Sequence, residues 1–148
     1  MEIWQRYLVL FWGLSSFLIF LKGLNESKDK KNAFGQTPYL LPLGIFVWGD
    51  ATVFGLFWAL VSLVVLFLKD WILLLLIISV FWVIRSLGET IYWINQQFSS
   101  VNRNPPERLI GYSIFKNDSI WFIYQIVWQC VAVISVIFSI YFAKIWLI

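Results

Sequence analysis

The sequence predicts an all-α, polytopic integral membrane protein that folds as a four-transmembrane-helix bundle. Two observations carry this prediction. Hydrophobic residues make up 61% of the 148 and charged residues only 13%, with a mean hydropathy of +0.80, whereas a soluble domain is about half apolar and a quarter charged. Polar stretches also divide the chain into four long apolar runs, each with about the 20 residues that a helix needs to cross a bilayer. The lipid bilayer is therefore the first expected partner.

The predicted spans form one membrane domain over residues 1–148, and they cover residues 3–24, 40–68, 71–98 and 120–142. Backbone groups in lipid must be satisfied within the protein, so spans are helices or strands of a closed barrel, and these runs are too long for strands. No cleavage motif of small residues follows the first run, so we interpret it as a retained span. Pro38 and Pro42 fall at the predicted start of the second span, where a helix tolerates proline. Lys69-Asp70 is a tight turn between the second and third spans.

Basic residues are distributed unevenly between the two sides of the predicted bundle. Loop one joins the first two spans and loop three joins the last two; these loops and their edges hold seven basic residues, and the opposite side holds three. The seven are Lys22, Lys28, Lys30, Lys31, Arg103, Arg108 and Lys116, and the three are Arg6, Lys69 and Lys144. Cytoplasmic loops carry an excess of Lys and Arg. We therefore predict a multi-pass protein of the cell membrane, with loops one and three in the cytoplasm and both termini outside.

Loop three contains a pattern typical of a helix start. Asn104 can cap a helix, Pro105 suits its first position, and Glu107 lies three residues after the cap. Apolar residues then recur at helical spacing. The pattern predicts a short helix lying on the membrane surface, and an irregular loop is the open alternative because Gly111 weakens a helix.

Charged side chains within the spans form the candidate site. Arg85 and Glu89 lie four residues apart, on one face of the third span. A charge at the centre of a bilayer costs roughly 2.5–3.5 kcal/mol on the insertion scale, so such groups are expected to face protein and to pair. Counting outward from the Lys69-Asp70 turn places Asp50 and Glu89 at equal depth. We therefore predict a buried Asp/Arg/Glu polar layer in which Arg85 bridges both carboxylates.

The same counting places polar residues of the other spans near this layer. Ser15 of the first span and Gln129 of the fourth lie at about its level, and Gln125 lies one helical turn from Gln129. Trp48 and Trp128 adjoin it and could line a site for a cation or an aromatic ligand. Because two carboxylates compete for one guanidinium, one of them is expected to hold a proton.

Small residues at every fourth position favour close helix contacts in lipid. Two such strips occur, one on the second span and one on the fourth: Ala51, Gly55 and Ala59, and Ser135, Ser139 and Ala143. They predict close packing, either within the bundle or between copies.

Two functions remain open. A proton- or cation-linked transporter or channel subunit would use the layer as an ion path, and four helices enclose so little volume that this function implies a homo-oligomer or a membrane partner subunit. Alternatively, the protein is a non-catalytic membrane subunit whose buried ion cluster specifies helix packing and assembly.

Other classes are disfavoured by what the sequence lacks. It has no His and one Cys, which excludes His-ligated haem, His-bound zinc and an internal disulfide, so no metal site or cofactor is predicted. An intramembrane enzyme is not expected: Gly49-Asp50 matches only the second half of the G-x-G-D motif of aspartyl intramembrane proteases, and Cys130 has no His to activate it. The basic residues form no large soluble patch, so a nucleic-acid partner is not expected.

Overall fold

The protein is described by a computed structural model that covers residues 1–100 and 103–148. Its long helices are α1 (Ile3–Leu24), α2 (Trp48–Leu68), α3 (Trp71–Phe98) and α4 (Ser119–Leu147). These described residues contain no β-strand, only an isolated bridge between Gln36 and Val47. Each long helix has the length and apolar composition needed to cross a membrane. The prediction of an all-helical chain with four long apolar helices is confirmed, and it is consistent with a multi-pass membrane protein.

The chain divides into two compact units, Met1–Leu75 and Leu76–Ile148. The first unit contains α1, α2 and the beginning of α3. The second unit contains the rest of α3 together with α4.

Small residues let α1 and α2 approach closely in the first unit. A Cβ atom added at Gly55 would lie 2.7 Å from the backbone nitrogen of Phe20. One added at Gly23 would lie 2.8 Å from the Cβ of Ala51, which is completely buried. The small-residue strip predicted on the second span therefore packs within the chain, against α1.

The start of α2 differs from the predicted start of the second span. α2 begins at Trp48, and the apolar run before it forms a short 3-10 helix, Pro38–Leu43. Pro42 lies inside this helix and has no N–H to donate, and Gly44 follows in the left-handed conformation with φ 70°. Apolar composition continues through these residues, but the helical hydrogen-bond pattern does not.

Loop one folds back over the beginning of α2. The carbonyl of Gly35 accepts the N–H of Trp48 at 3.1 Å, and the carbonyl of Ala33 accepts the N–H of Gly49 at 2.8 Å. The first turn of a helix has no internal partner for its N–H groups. Loop one thus accepts two of the N–H groups that have no partner within α2.

The remaining helix limits agree closely with the predicted spans. α1 and α3 have the predicted limits, and α4 continues past residue 142 to Leu147.

The turn before α3 is as tight as predicted. Lys69 has φ 55°, and the Asp70 carboxylate accepts the N–H of Leu73 at 3.0 Å. Asp70 therefore caps α3.

The short surface helix predicted in loop three is reduced to one turn among the described residues. Pro106–Arg108 form a single 3-10 turn, after which Leu109 is extended. Gly111 has φ 94°, a value that an α-helix does not contain. The open alternative, an irregular loop, describes this segment.

Candidate functional site

Arg85 and Glu89 form an ion pair on α3. Their Nη2 and Oε1 atoms lie 3.2 Å apart, and the two side chains are 16% and 14% exposed. Arg85 lies at the middle of Trp71–Phe98, so a centred α3 would hold it near the middle of a bilayer. The prediction of a buried charged layer requires correction, because no charged side chain is fully buried among residues 1–100 and 103–148. The pair is partly buried.

Asp50 lies in the first turn of α2, within the first unit. Its Oδ2 atom accepts the backbone N–H of Phe46 at 3.0 Å. An acidic group at this position is also favoured by the helix dipole. Because α2 begins at Trp48, Asp50 lies near a helix end. The predicted bridge from Arg85 to Asp50 would join the two units and stays a prediction.

A polar stripe continues from the ion pair along one face of α3. Tyr92 and Gln96 follow Glu89 at spacings of three and four residues, which keeps all four side chains on one side of the helix. From Arg85 to Gln96 the helix rises about 16 Å, or about half of the ~30 Å hydrocarbon core. On α3, sequence reasoning selected only Arg85 and Glu89, although the same spacing extended two more turns would have found Tyr92 and Gln96.

The stripe ends in hydrogen bonds with loop three. The Gln96 Oε1 atom accepts the N–H groups of Arg103 and Asn104, each at 3.3 Å. The Asn104 side-chain amide donates to the Tyr92 hydroxyl, and the Asn104 backbone carbonyl accepts the indole N–H of Trp121 at 2.9 Å. Asn104, predicted to cap a surface helix, instead ties loop three to α3 and α4.

A second face of α3 contacts α4. The Gln97 amide donates to Gln125 Oε1 at 2.8 Å, and the rings of Trp82 and Trp128 stack with centroids 6.3 Å apart. Gln125 and Trp128, which the sequence places beside the ion cluster, therefore contribute to packing between the two helices.

Buried hydroxyls add little to any site on this part of α3. Ser79, Ser86 and Thr90 are each at most 7% exposed, and each donates to a carbonyl of its own helix. Such bonds satisfy the hydroxyl without a second helix.

The remaining predicted residues each have distinct surroundings. Gln129 is exposed, and its side chain forms no hydrogen bond with any residue of the described ranges. Ser15 is partly buried, whereas its neighbour Ser16 is 1% exposed. Trp48 is 8% exposed, and the Lys22 ammonium lies 4.8 Å from its ring centroid. The Trp48 ring thus already contacts a cation of its own chain.

Comparison of the chain with protein-family models, with curated proteins and with solved structures found no match. In the described part of the chain, no three His, Cys, Asp or Glu side chains lie close enough together to hold a metal ion. The chemistry of the site therefore depends on its own residues. They provide an ion pair at the middle of α3 and a row of hydrogen-bonding groups that leads to loop three.

Proposed function

We propose that this protein is a proton- or cation-linked subunit of a membrane transporter or channel, in which Glu89 binds and releases the ion. The polar stripe of α3 is the observation that supports this function. It gives Glu89 a row of hydrogen-bonding side chains, Tyr92 and Gln96, that ends at loop three. Purely apolar packing on α3 would not need such a row.

The ion pair sets the chemistry of ion uptake. The Arg85 guanidinium stabilises the ionised Glu89 carboxylate, and an arriving proton or cation competes with Arg85 for it. Tyr92 carries a hydroxyl that both donates and accepts, so it can pass a proton between Glu89 and the loop-three end of α3. Uptake therefore weakens the ion pair, and release restores it.

The stripe also explains why the proposed protein is a subunit. Residues 71–84, which form the other half of α3, include no ionisable side chain. α3 by itself therefore supplies only the half of an ion path that is nearer to loop three. A complete path needs polar groups from outside this helix.

Proton flux in liposomes tests the proposal. Purified protein is reconstituted with a trapped pH-sensitive dye, and a potassium diffusion potential drives uptake. We expect flux from the unmodified protein, loss of flux from Glu89→Gln and reduced flux from Tyr92→Phe. Glu107→Gln is the matched control, because it neutralises an exposed carboxylate in the 3-10 turn of loop three.

A chemical probe gives a second readout of the same carboxyl group. Dicyclohexylcarbodiimide modifies protonated carboxyl groups in apolar surroundings, and mass spectrometry identifies the modified residue. We expect modification of Glu89 that increases as the pH falls, with Glu107 unmodified. Equal flux from Glu89→Gln and the unmodified protein, with no modification of Glu89, would overturn the proposal.

A second function is favoured by one specific observation. Arg85 and Glu89 pair with each other on a single helix, so each charge has an opposite charge beside it without any transported ion. In that case the protein is a non-catalytic membrane subunit whose ion pair sets the packing of α3. The same liposomes distinguish the two functions: this one requires no flux from any variant, and Glu89→Gln would then change only assembly with a partner.

A further inference from the structure

Gln129 occupies an unusual position on α4. It lies one turn from the middle of Ser119–Leu147, or about 6 Å along the helix, which is inside the ~30 Å hydrocarbon core if α4 is centred. Its side chain is exposed and has no hydrogen-bond partner among the residues that the structure describes. An amide has both donors and an acceptor, and leaving them unpaired in an apolar medium costs free energy.

Gln129 also lies on a continuous stripe of exposed side chains. On both sides of it, exposed apolar residues recur in alternating steps of three and four, each 37–67% exposed: Phe122, Ile126, Val133, Val136 and Ile140. Alternating steps of three and four are the pattern that two helices use to pack along each other in a left-handed crossing. We call Gln129 together with these five apolar residues the α4 seam. Gln129 is its polar member.

The chemistry of the seam identifies its partner. Lipid acyl chains can cover the apolar positions, but they offer no hydrogen bond to an amide. The occupant must have a matching apolar stripe with a donor and an acceptor at the depth of Gln129. A second copy of α4 meets both requirements, because one amide can donate to the other.

We propose that the protein forms a homodimer through the α4 seam, with the two Gln129 side chains hydrogen-bonded to each other. The uneven distribution of basic residues predicts one topology for every copy, so the two α4 helices run parallel and place Gln129 at the same depth. A two-fold axis along the helices then brings equivalent residues together. A single polar residue within an apolar seam fixes register in the same way in coiled coils. The inference depends on α4 alone and not on ion transport.

Cysteine cross-linking in native membranes tests the seam. In a Cys130→Ser background, the variants Val133→Cys and Val136→Cys place a thiol on the seam. Val127→Cys and Phe138→Cys are matched controls, because these residues are 53% and 50% exposed but lie on another side of α4. After oxidation with copper phenanthroline, we expect covalent dimers from the two seam variants and few from the controls.

Other occupants of the seam give different results. Seam cysteines that form covalent adducts of a size other than the dimer would show that another protein covers the stripe. Seam cysteines that cross-link no better than the controls and form no other adduct would show that lipid covers it. Either result overturns the homodimer.

Substitution of Gln129 tests the hydrogen bond itself. Energy transfer between labelled copies is measured in liposomes over a range of protein-to-lipid ratios. We expect Gln129→Leu to weaken dimerisation by about 5- to 30-fold, the range that corresponds to interhelical hydrogen bonds in model peptides. Gln129→Asn keeps an amide and should retain most of the affinity, and Val127→Leu should change nothing. Equal affinities for Gln129→Leu and the unmodified protein would overturn the proposed pairing.

Discussion

The contact between α1 and α2 can be tested by adding a single methyl group. In Gly55→Ala, the new Cβ would lie 2.7 Å from Phe20 N and 2.9 Å from Phe20 Cα, whereas ordinary van der Waals contact begins at 3.4 Å. Backbone atoms cannot rotate away as a side chain can, so α1 must move at Phe20. The required shift is about 0.7 Å, the difference between 3.4 Å and the 2.7 Å separation from Phe20 N. Overpacking of this kind costs about 1–3 kcal/mol.

Helix propensity works in the opposite direction. Replacing glycine by alanine inside a helix stabilises it by about 0.5–1 kcal/mol, which partly hides the overpacking. Gly88→Ala is the matched control, because Gly88 also lies inside a long helix and its added Cβ would have no neighbour within 4 Å. Subtracting one variant from the other removes the propensity contribution. We therefore expect Gly55→Ala to be less stable than Gly88→Ala by about 1–3 kcal/mol.

The free energy of unfolding can be measured by titrating SDS into detergent micelles and following helicity by circular dichroism. Gly88→Ala should be at least as stable as the unmodified protein, and Gly55→Ala should unfold at a lower SDS fraction. Equal stability of the two variants would refute the close approach of α1 to α2 at Phe20.

Two further predictions concern the second unit and the topology. The Gln97–Gln125 bond should give a coupling free energy of about 0.6 kcal/mol, and at most about 1.7, in a double-mutant cycle to leucine measured by the same SDS titration; strictly additive effects would show that the bond contributes nothing. In a Cys130→Ser background, Lys28→Cys should react with a membrane-impermeant maleimide only after the cells are permeabilised, because loop one is predicted to be cytoplasmic; labelling of intact cells would reverse the predicted orientation.

Sequence reasoning located the long helices well because hydropathy reports which residues can lie in lipid. It failed at the start of α2, because hydropathy does not report backbone conformation. Residues 40–47 are largely apolar, but Pro42 lacks a donor and Gly44 adopts a left-handed conformation. The difference moves Asp50 from the interior of a span to the first turn of a helix.

The site was predictable where it depends on one helix and unpredictable where it depends on several. Arg85 and Glu89 pair because they lie four residues apart on α3. This spacing can be read from the sequence. The hydrogen bonds that Gln96 accepts come from loop three, whose path the sequence does not specify. Gln129 shows a different limit, because counting residues estimates the depth of a side chain but not the direction in which it points.

The close packing of α1 against α2 has a consequence for the order in which the protein is made. The residues in contact at Gly13, Gly23 and Gly55 all belong to Met1–Leu75, so this helical hairpin can form before the ribosome has synthesised α4. Ser16 and Ser62, each 1% exposed, belong to the same unit. The α1–α2 pair can therefore be in place before the part of the chain that carries the ion pair has been synthesised.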